Sequence, residues 1–187
     1  MSGRDKEREI MDILVLNGSP RPNGNTAALV CAFAGGAREA GHAVEVIDVA
    51  ALDIAGCKGC EFCHTRGDSA CVQRDDMEQV YARWNEADML VLASPVYYGS
   101  FSGQLHCAIH RTYALGVPER ARKMALILSS GAADVYAASE RIYHGFIQGY
   151  FGAEDCGVIT AAGAENRSNI ARYSMATYLD GLAPEAS

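Results

Sequence analysis

Residues 10–26 read IMDILVLNGSPRPNGNT, and this stretch decides the fold. From Ile10 to Leu16 the chain is apolar except for Asp12, the pattern of a buried strand rather than one with a wet face. Asn17 to Asn25 then carries two glycines, two prolines and three asparagines, which is turn chemistry. Past the turn, Val30, Phe33, Ala34 and Ala37 recur on one helical face, and Gly41 supplies the positive φ that ends a helix. A buried strand running straight into an amphipathic helix opens a βα unit.

The alternation continues outward from there. A second strand is expected over Val44 to Val49, followed by a cysteine-rich loop. Asp75 and Asp76 then stand where a helix N-terminus favours acid, ahead of Met77, Val80, Tyr81 and Trp84 on one face. Asp88 to Ser94 is apolar without alternation, as a central strand should be. The loop Pro95 to Gly103 follows, then a helix with Leu105, Ala108, Ile109 and Thr112 inward. A fourth strand covers Lys123 to Ser129. Ile142, Tyr143, Phe146, Ile147 and Tyr150 fall at helical spacing, a fifth strand covers Gly157 to Thr160, and a last helix runs from Asn166 to Leu179. Right-handed crossovers make this an α/β three-layer sandwich on a five-stranded parallel sheet, with ligands expected at the carboxyl ends of the strands.

At 187 residues the chain is long enough for one sizeable core, so residues 10–187 are read as a single domain behind a charged tail, 1–9. A composition 49% hydrophobic and 21% charged is that of a folded protein. Sixteen basic residues against 23 acidic ones leave a net charge of -7, which repels phosphate backbones and anionic lipids, so neither nucleic acid nor membrane is an expected partner. The tail has no signal-peptide apolar region, and the expected location is the cytoplasm. Seven cysteines, four of them between Cys57 and Cys71, fit a reducing compartment and a metal or redox role better than a disulfide framework.

Three loops reach the same sheet edge. In the first, free amides at a helix N-terminus favour an anion, and Ser19, Arg21, Asn25 and Thr26 are placed to complete an anion cradle. Five residues separate Gly18 from Gly24, Asn25 stands where a Walker A loop has lysine, and no G-x-G-x-x-G follows the strand, so neither common phosphate loop is present. An ordinary strand-to-helix turn is the competing reading. In the second loop, Pro95, Val96, Tyr97, Tyr98 and Gly99 offer flat faces and accessible backbone suited to a planar ring, although tyrosines also serve as packing residues. In the third, Ser129 and Gly131 end the fourth strand and close the pocket, or simply make a turn.

Gly18-Ser-Pro-Arg with Gly-Asn-Thr26, Asp75-Asp-Met77, and Ala87-Asp with Ser94-Pro-Val-Tyr-Tyr-Gly99 resemble, in order and spacing, the NAD(P)H-dependent FMN reductase and iron-sulfur flavoprotein group of flavodoxin-like proteins. The resemblance runs from Ile10 to Thr112 and more vaguely beyond. It implies a flavodoxin-like sheet of order 2-1-3-4-5 and FMN, with phosphate on Ser19, Arg21, Asn25 and Thr26 and the ring against Pro95 to Gly99. It also implies a homodimer or a dimer of dimers. Where relatives carry Leu-Lys and Asp-Arg in the helix after the second loop, this chain has Leu105-His106 and His110-Arg111, which leaves no role for those side chains to be carried over.

Cys57-x2-Cys60-x2-Cys63-x7-Cys71 places four thiols in one loop. Overlapping C-x2-C pairs resemble ferredoxin loops more than separated zinc knuckles. The long last gap and the lack of a following proline leave three states open: a [4Fe–4S] cluster, zinc, or free thiols. Cys31, Cys107 and Cys156 are read as small buried hydrophobes. The leading functional expectation is an FMN-dependent oxidoreductase with NAD(P)H as co-substrate and a flavin, a quinone or a redox protein as acceptor. No acid–base triad is found or needed. The alternatives are an FMN electron carrier with little NAD(P)H activity, fed through the cysteine-bound cluster where one is present, and a metal-stabilised binding module without flavin.

Overall fold

A computed structural model of the chain describes residues 10–163. The tail 1–9 and the helix expected over 166–179 lie outside the described residues. Five strands, β1 (Asp12–Asn17), β2 (Ala43–Ile47), β3 (Met89–Pro95), β4 (Lys123–Ser129) and β5 (Glu154–Ala161), form one parallel sheet in the order β2-β1-β3-β4-β5. Val15 pairs with Val46 on one side and Val91 on the other, and Val91 pairs with Ala125, so the most apolar strands are the inner ones. This is the flavodoxin-like architecture, in the expected order. The fourth strand has its expected bounds; β5 is longer than expected and is irregular where its register against β4 shifts between Met124 and Leu126.

Odd and even positions of the inner strands bury against different layers. Ile13, Val15, Met89, Val91 and Ala93 pack with Leu29, Val30, Phe33 and Ala37 of α1 (Asn25–Glu39). Full burial of a side chain such as Phe33 is worth about 1.5–3 kcal/mol. Leu14, Leu16, Leu90 and Leu92 face the other way, toward Met77, Val80 and Trp84 and toward Leu105 and Ala108. The short one-turn helix α2 (Phe62–Thr65) stands inside the cysteine loop, followed by α3 (Met77–Trp84) and α4 (Gly103–Arg111).

After α5 (Ala137–Ile142) the helix widens into a π segment over Tyr143–Gln148 before α6 (Gly149–Phe151). The regular helical face expected here is therefore broken. Tyr143 and Ile147 are buried, whereas Phe146 and Tyr150 are 68% and 69% exposed. The expectation that the scattered cysteines are buried is also corrected: Cys31 is exposed on the outer side of α1, and Cys107 and Cys156 are half-buried.

Candidate functional site

The carboxyl ends of β1, β3 and β4 open on one edge, and a polar lattice fixes the loops that leave them. Gly18 N–H donates to Ala93 O at 2.8 Å, and Ser102 Oγ donates to Gly18 O at 2.6 Å. Ser102, the N-cap of α4, also accepts from Leu105 N–H, while its own amide donates to Ser94 Oγ at 2.8 Å. A Cβ on Gly18 would stand 2.6 Å from Leu105 Cβ and 2.7 Å from Ser102 Oγ, so this strand end and α4 meet closely only because residue 18 has no side chain.

The first loop is shaped by its own hydrogen bonds. Asn17 Oδ1 accepts from Ser19 N–H at 3.1 Å while its amide nitrogen donates to Asp48. Arg21 O accepts from Gly24 N–H at 2.9 Å and from Ser19 Oγ–H at 3.2 Å. Helix α1 then starts with no side-chain cap, and its N-terminus, the positive end of its dipole, faces the loop. Thr26 and Ser129, both buried, share a hydroxyl–hydroxyl bond of 2.7 Å, tying the start of α1 to the end of β4.

Between the three loops lies a cavity of about 900 Å³, lined by Ser19 to Thr26, by Pro95, Val96 and Tyr97, and by Ser129 to Gly131. The size is that of a small-molecule or cofactor site. Every residue named for this site from the sequence lines it except Tyr98 and Gly99. Those two are the central residues of a two-residue turn closed by Tyr97 N–H to Ser100 O at 2.9 Å and the reverse bond at 3.0 Å. Their φ values of 52° and 74° are those of a type I′ turn, and Tyr98 is fully exposed. Ser139 Oγ anchors the turn by donating to Gly99 O at 2.9 Å. A tripeptide such as Tyr-Tyr-Gly does not show which ring faces the cavity; the turn type decides it, for Tyr97.

The cysteine loop folds back on the last turn of α4. Cys57, Cys60, Cys63 and Cys71 all line one small pocket of about 20 Å³, together with Arg111, Tyr113 and the backbone around Gly59. Gly59 N–H reaches Cys57 Sγ at 3.4 Å. Among the described residues no three ligating side chains converge on a single ion. A tetrahedral zinc site needs its sulfurs about 3.8 Å apart, whereas a four-iron cube takes one thiolate at each corner iron and spreads them wider.

Arg111 is the residue beside this loop whose place sequence reasoning missed. Its side chain is buried, and it makes a two-pronged pair with Asp75, Nη1 to Oδ2 at 2.6 Å and Nη2 to Oδ1 at 3.0 Å. It also donates to Ala55 O at 2.9 Å and to Gln73 O at 3.4 Å, so one guanidinium clasps both ends of the cysteine loop. Asp75, rather than Asp76, accepts from the first-turn amide of Met77, and Asp76 holds Asp53 N–H instead. Burial alone would raise the Asp75 carboxyl, but the bonds from Arg111 and Met77 outweigh it and hold it below the usual carboxylate range. Burial likewise works against the Cys71 thiolate, yet the Gln73 amide and the Arg111 guanidinium bring its pKa below the ordinary thiol value. Cys63 moves the other way, raised chiefly by burial. Tyr81, whose hydroxyl donates to Arg111 O at 2.9 Å, is pushed up to about 12, mainly by burial.

Residues 11–144 match the family model described as NADPH-dependent FMN reductase. Among curated relatives, an iron-sulfur flavoprotein of Methanocaldococcus jannaschii is 36% identical over 107 residues, 57% of this chain and 54% of that one. An iron-sulfur flavoprotein of Methanosarcina thermophila is 32% identical over 123 residues, 66% of this chain and 61% of that one. The chain thus spans about half the length of the curated relatives it matches. Among solved structures, an NAD(P)H:quinone oxidoreductase from Methanothermobacter marburgensis superposes with a TM-score of 0.74 at 16% identity, covering 96% of this chain and 99% of that one. An FMN-dependent NADH-azoreductase from Bacillus anthracis, solved in complex with FMN, gives 0.63 at 15% identity, covering 91% and 95%. At such identities the two structures speak for the shared fold.

Proposed function

The chain belongs to the NADPH-dependent FMN reductase family, and from that premise we propose that it is an FMN-dependent oxidoreductase that takes reducing equivalents from NAD(P)H and delivers them to a flavin, a quinone or a redox protein. The observation that carries this reading is the cavity of about 900 Å³ at the carboxyl ends of β1, β3 and β4, lined by the start of α1 and its polar loop at one end and by Pro95, Val96 and Tyr97 at the other.

The residues present fit FMN. Ser19, Arg21, Asn25 and Thr26 stand at the uncapped start of α1, where a phosphate gains both the dipole and hydrogen-bond donors. Pro95, Val96 and Tyr97 form the wall suited to the ring, and Ser129 and Gly131 close the third side. Bound there, FMN supplies hydride acceptance and one- or two-electron release, chemistry that no side chain of the site provides. The protein's part is orientation. Val96 N–H is held by Ser129 O at 2.8 Å and Ser130 N–H by Ala161 O at 2.9 Å, so the second and third loops keep a fixed spacing.

A second reading is favoured by the cysteine pocket: an electron carrier in which a [4Fe–4S] cluster held by Cys57, Cys60, Cys63 and Cys71 exchanges electrons with the flavin. Four thiols on one pocket are the donor set such a cluster takes. The two relatives named above are iron-sulfur flavoproteins.

Anaerobic purification of the full chain, with a visible spectrum, FMN titration, iron and sulfide analysis and NAD(P)H oxidation assays, tests both readings. Stoichiometric FMN with NAD(P)H-dependent bleaching supports the reductase. Flavin with iron and sulfide but negligible NAD(P)H oxidation supports the carrier. Failure to bind added FMN overturns both and leaves a flavin-free binding module.

A further inference from the structure

Arg111 presents an unfinished hydrogen-bonding pattern. Both terminal nitrogens are engaged, by Asp75, Ala55 and Gln73, but Nε is buried and has no acceptor at hydrogen-bond geometry. A buried donor left so is costly, the more so when it belongs to a charged group. The same residue lines the four-cysteine pocket, and no other arginine among the described residues does. Its charge is already balanced by Asp75, so what it offers the pocket is a directed N–H rather than a free cation.

We propose that Arg111 is a positioning residue for the four-cysteine pocket, its Nε–H donating to a sulfur of the cluster on the Cys71 side and raising the cluster's reduction potential. The inference rests on the reading that the pocket holds an iron–sulfur cluster. Hydrogen bonds to cluster or thiolate sulfur stabilise the more negative, reduced state, which is how a protein shifts such a potential upward. In the step affected, one electron enters the cluster, from reduced flavin in turnover or from dithionite in a titration. No bond would form or break, and the four thiolates would stay bound to their irons.

The placement explains why the guanidinium sits where it does. Asp75, Ala55 O and Gln73 O fix its plane, and Tyr81 braces the backbone of residue 111 from α3. The remaining N–H is then aimed by the fold rather than by the ligand. An arginine that merely closed the loop would need no further acceptor.

The test uses the anaerobically purified full chain. In reduced wild type labelled with 15N-arginine, pulsed EPR should show a hyperfine coupling between the cluster and a labelled nitrogen. Arg111→Lys keeps the charge opposite Asp75 and removes the Nε–H, and should shift the reduction equilibrium at least tenfold toward the oxidised cluster, about 59 mV for one electron. Asp75→Asn leaves the donor and uncovers its charge, and should shift the equilibrium in the opposite sense. Opposite signs are a result that a purely structural clasp would not produce. Wild type without iron and sulfide after reconstitution overturns the cluster reading, and this inference with it. Wild type with a cluster but no arginine coupling overturns the inference alone, even where both variants fail to fold, and so does an unmoved potential in Arg111→Lys.

Discussion

Thr26 Oγ1 lies 2.7 Å from Ser129 Oγ, a contact across 103 residues of sequence that closes the floor of the candidate FMN site. Each hydroxyl therefore has two duties, one toward the other and one toward the cavity. Thr26→Val removes the first-loop hydroxyl at nearly constant volume and leaves Ser129 without its partner. The expected outcome is an FMN affinity lowered about tenfold or more and a stability loss of about 1–2 kcal/mol. Fluorescence titration with FMN and a denaturation curve read the two effects separately. In the double variant with Ser129→Ala the stability losses should be less than additive, because both substitutions remove one bond. Unchanged FMN affinity in Thr26→Val would remove the phosphate assignment of the first loop.

Tyr98 occupies a backbone conformation that asparagine or glycine tolerates better, at φ 52° with its side chain in solvent. Tyr98→Asn should stabilise the protein by about 1 kcal/mol and raise its melting temperature, since it relieves the turn and breaks no contact. If the exposed ring meets the flavin, the nicotinamide or the acceptor, the same variant should lose catalytic efficiency while gaining stability. A gain in both would mark Tyr98 as a turn residue alone.

The parts of this molecule legible from sequence are those fixed locally. Strand β3 is apolar at successive positions because both faces are covered, and the first loop announces itself by glycine, proline and asparagine between a strand and a helix. The loop's place on the wall of the cavity follows from that junction. Arg111 was not legible, because its meaning lies in pairing with Asp75 across 36 residues, and nothing in a helix-terminal His-Arg pair distinguishes a solvated cation from a buried clasp. The division of labour between Asp75 and Asp76 was hidden for the same reason. Likewise, Phe146 and Tyr150 fit the helical period, but the π segment turns them outward, and periodicity assumes a constant pitch.

Those outward aromatics invite a partner. Tyr113, Phe146 and Tyr150 are 48%, 68% and 69% exposed and line one apolar cavity of about 380 Å³, whose wall shares Cys57 and Tyr113 with the cysteine pocket. The homodimer expected from the sequence would find here an apolar surface to cover. Phe146→Glu should then convert the protein to monomers in light scattering with the melting temperature of the monomeric fold little changed. A dimer unaffected by that charge would place the interface elsewhere.

The Asp75–Arg111 pair also makes stability depend on pH in the acid range. The Asp75 carboxyl is depressed in the folded chain, so folding binds it in its charged form more tightly than the unfolded chain does. Its contribution is fully present above the unfolded value of about 3.9 and is lost as pH falls through the lower, folded value. Stability measured from pH 7 downward should therefore hold to about pH 4 on account of this group and then decline. Asp75→Asn should cost about 3 kcal/mol at pH 7, because it strands a buried guanidinium, and should flatten the decline below pH 4. Asp88 is depressed as well, by the Asp12 amide and Arg120 against its own desolvation, but its partner is exposed and its share should be small. The cysteine loop is clasped by this same pair, so proteolysis between Ala55 and Gln73 should accelerate in Asp75→Asn at neutral pH and in the wild type only in acid. Equal cleavage rates in the two proteins at pH 7 would show that the loop is held by something other than the ion pair.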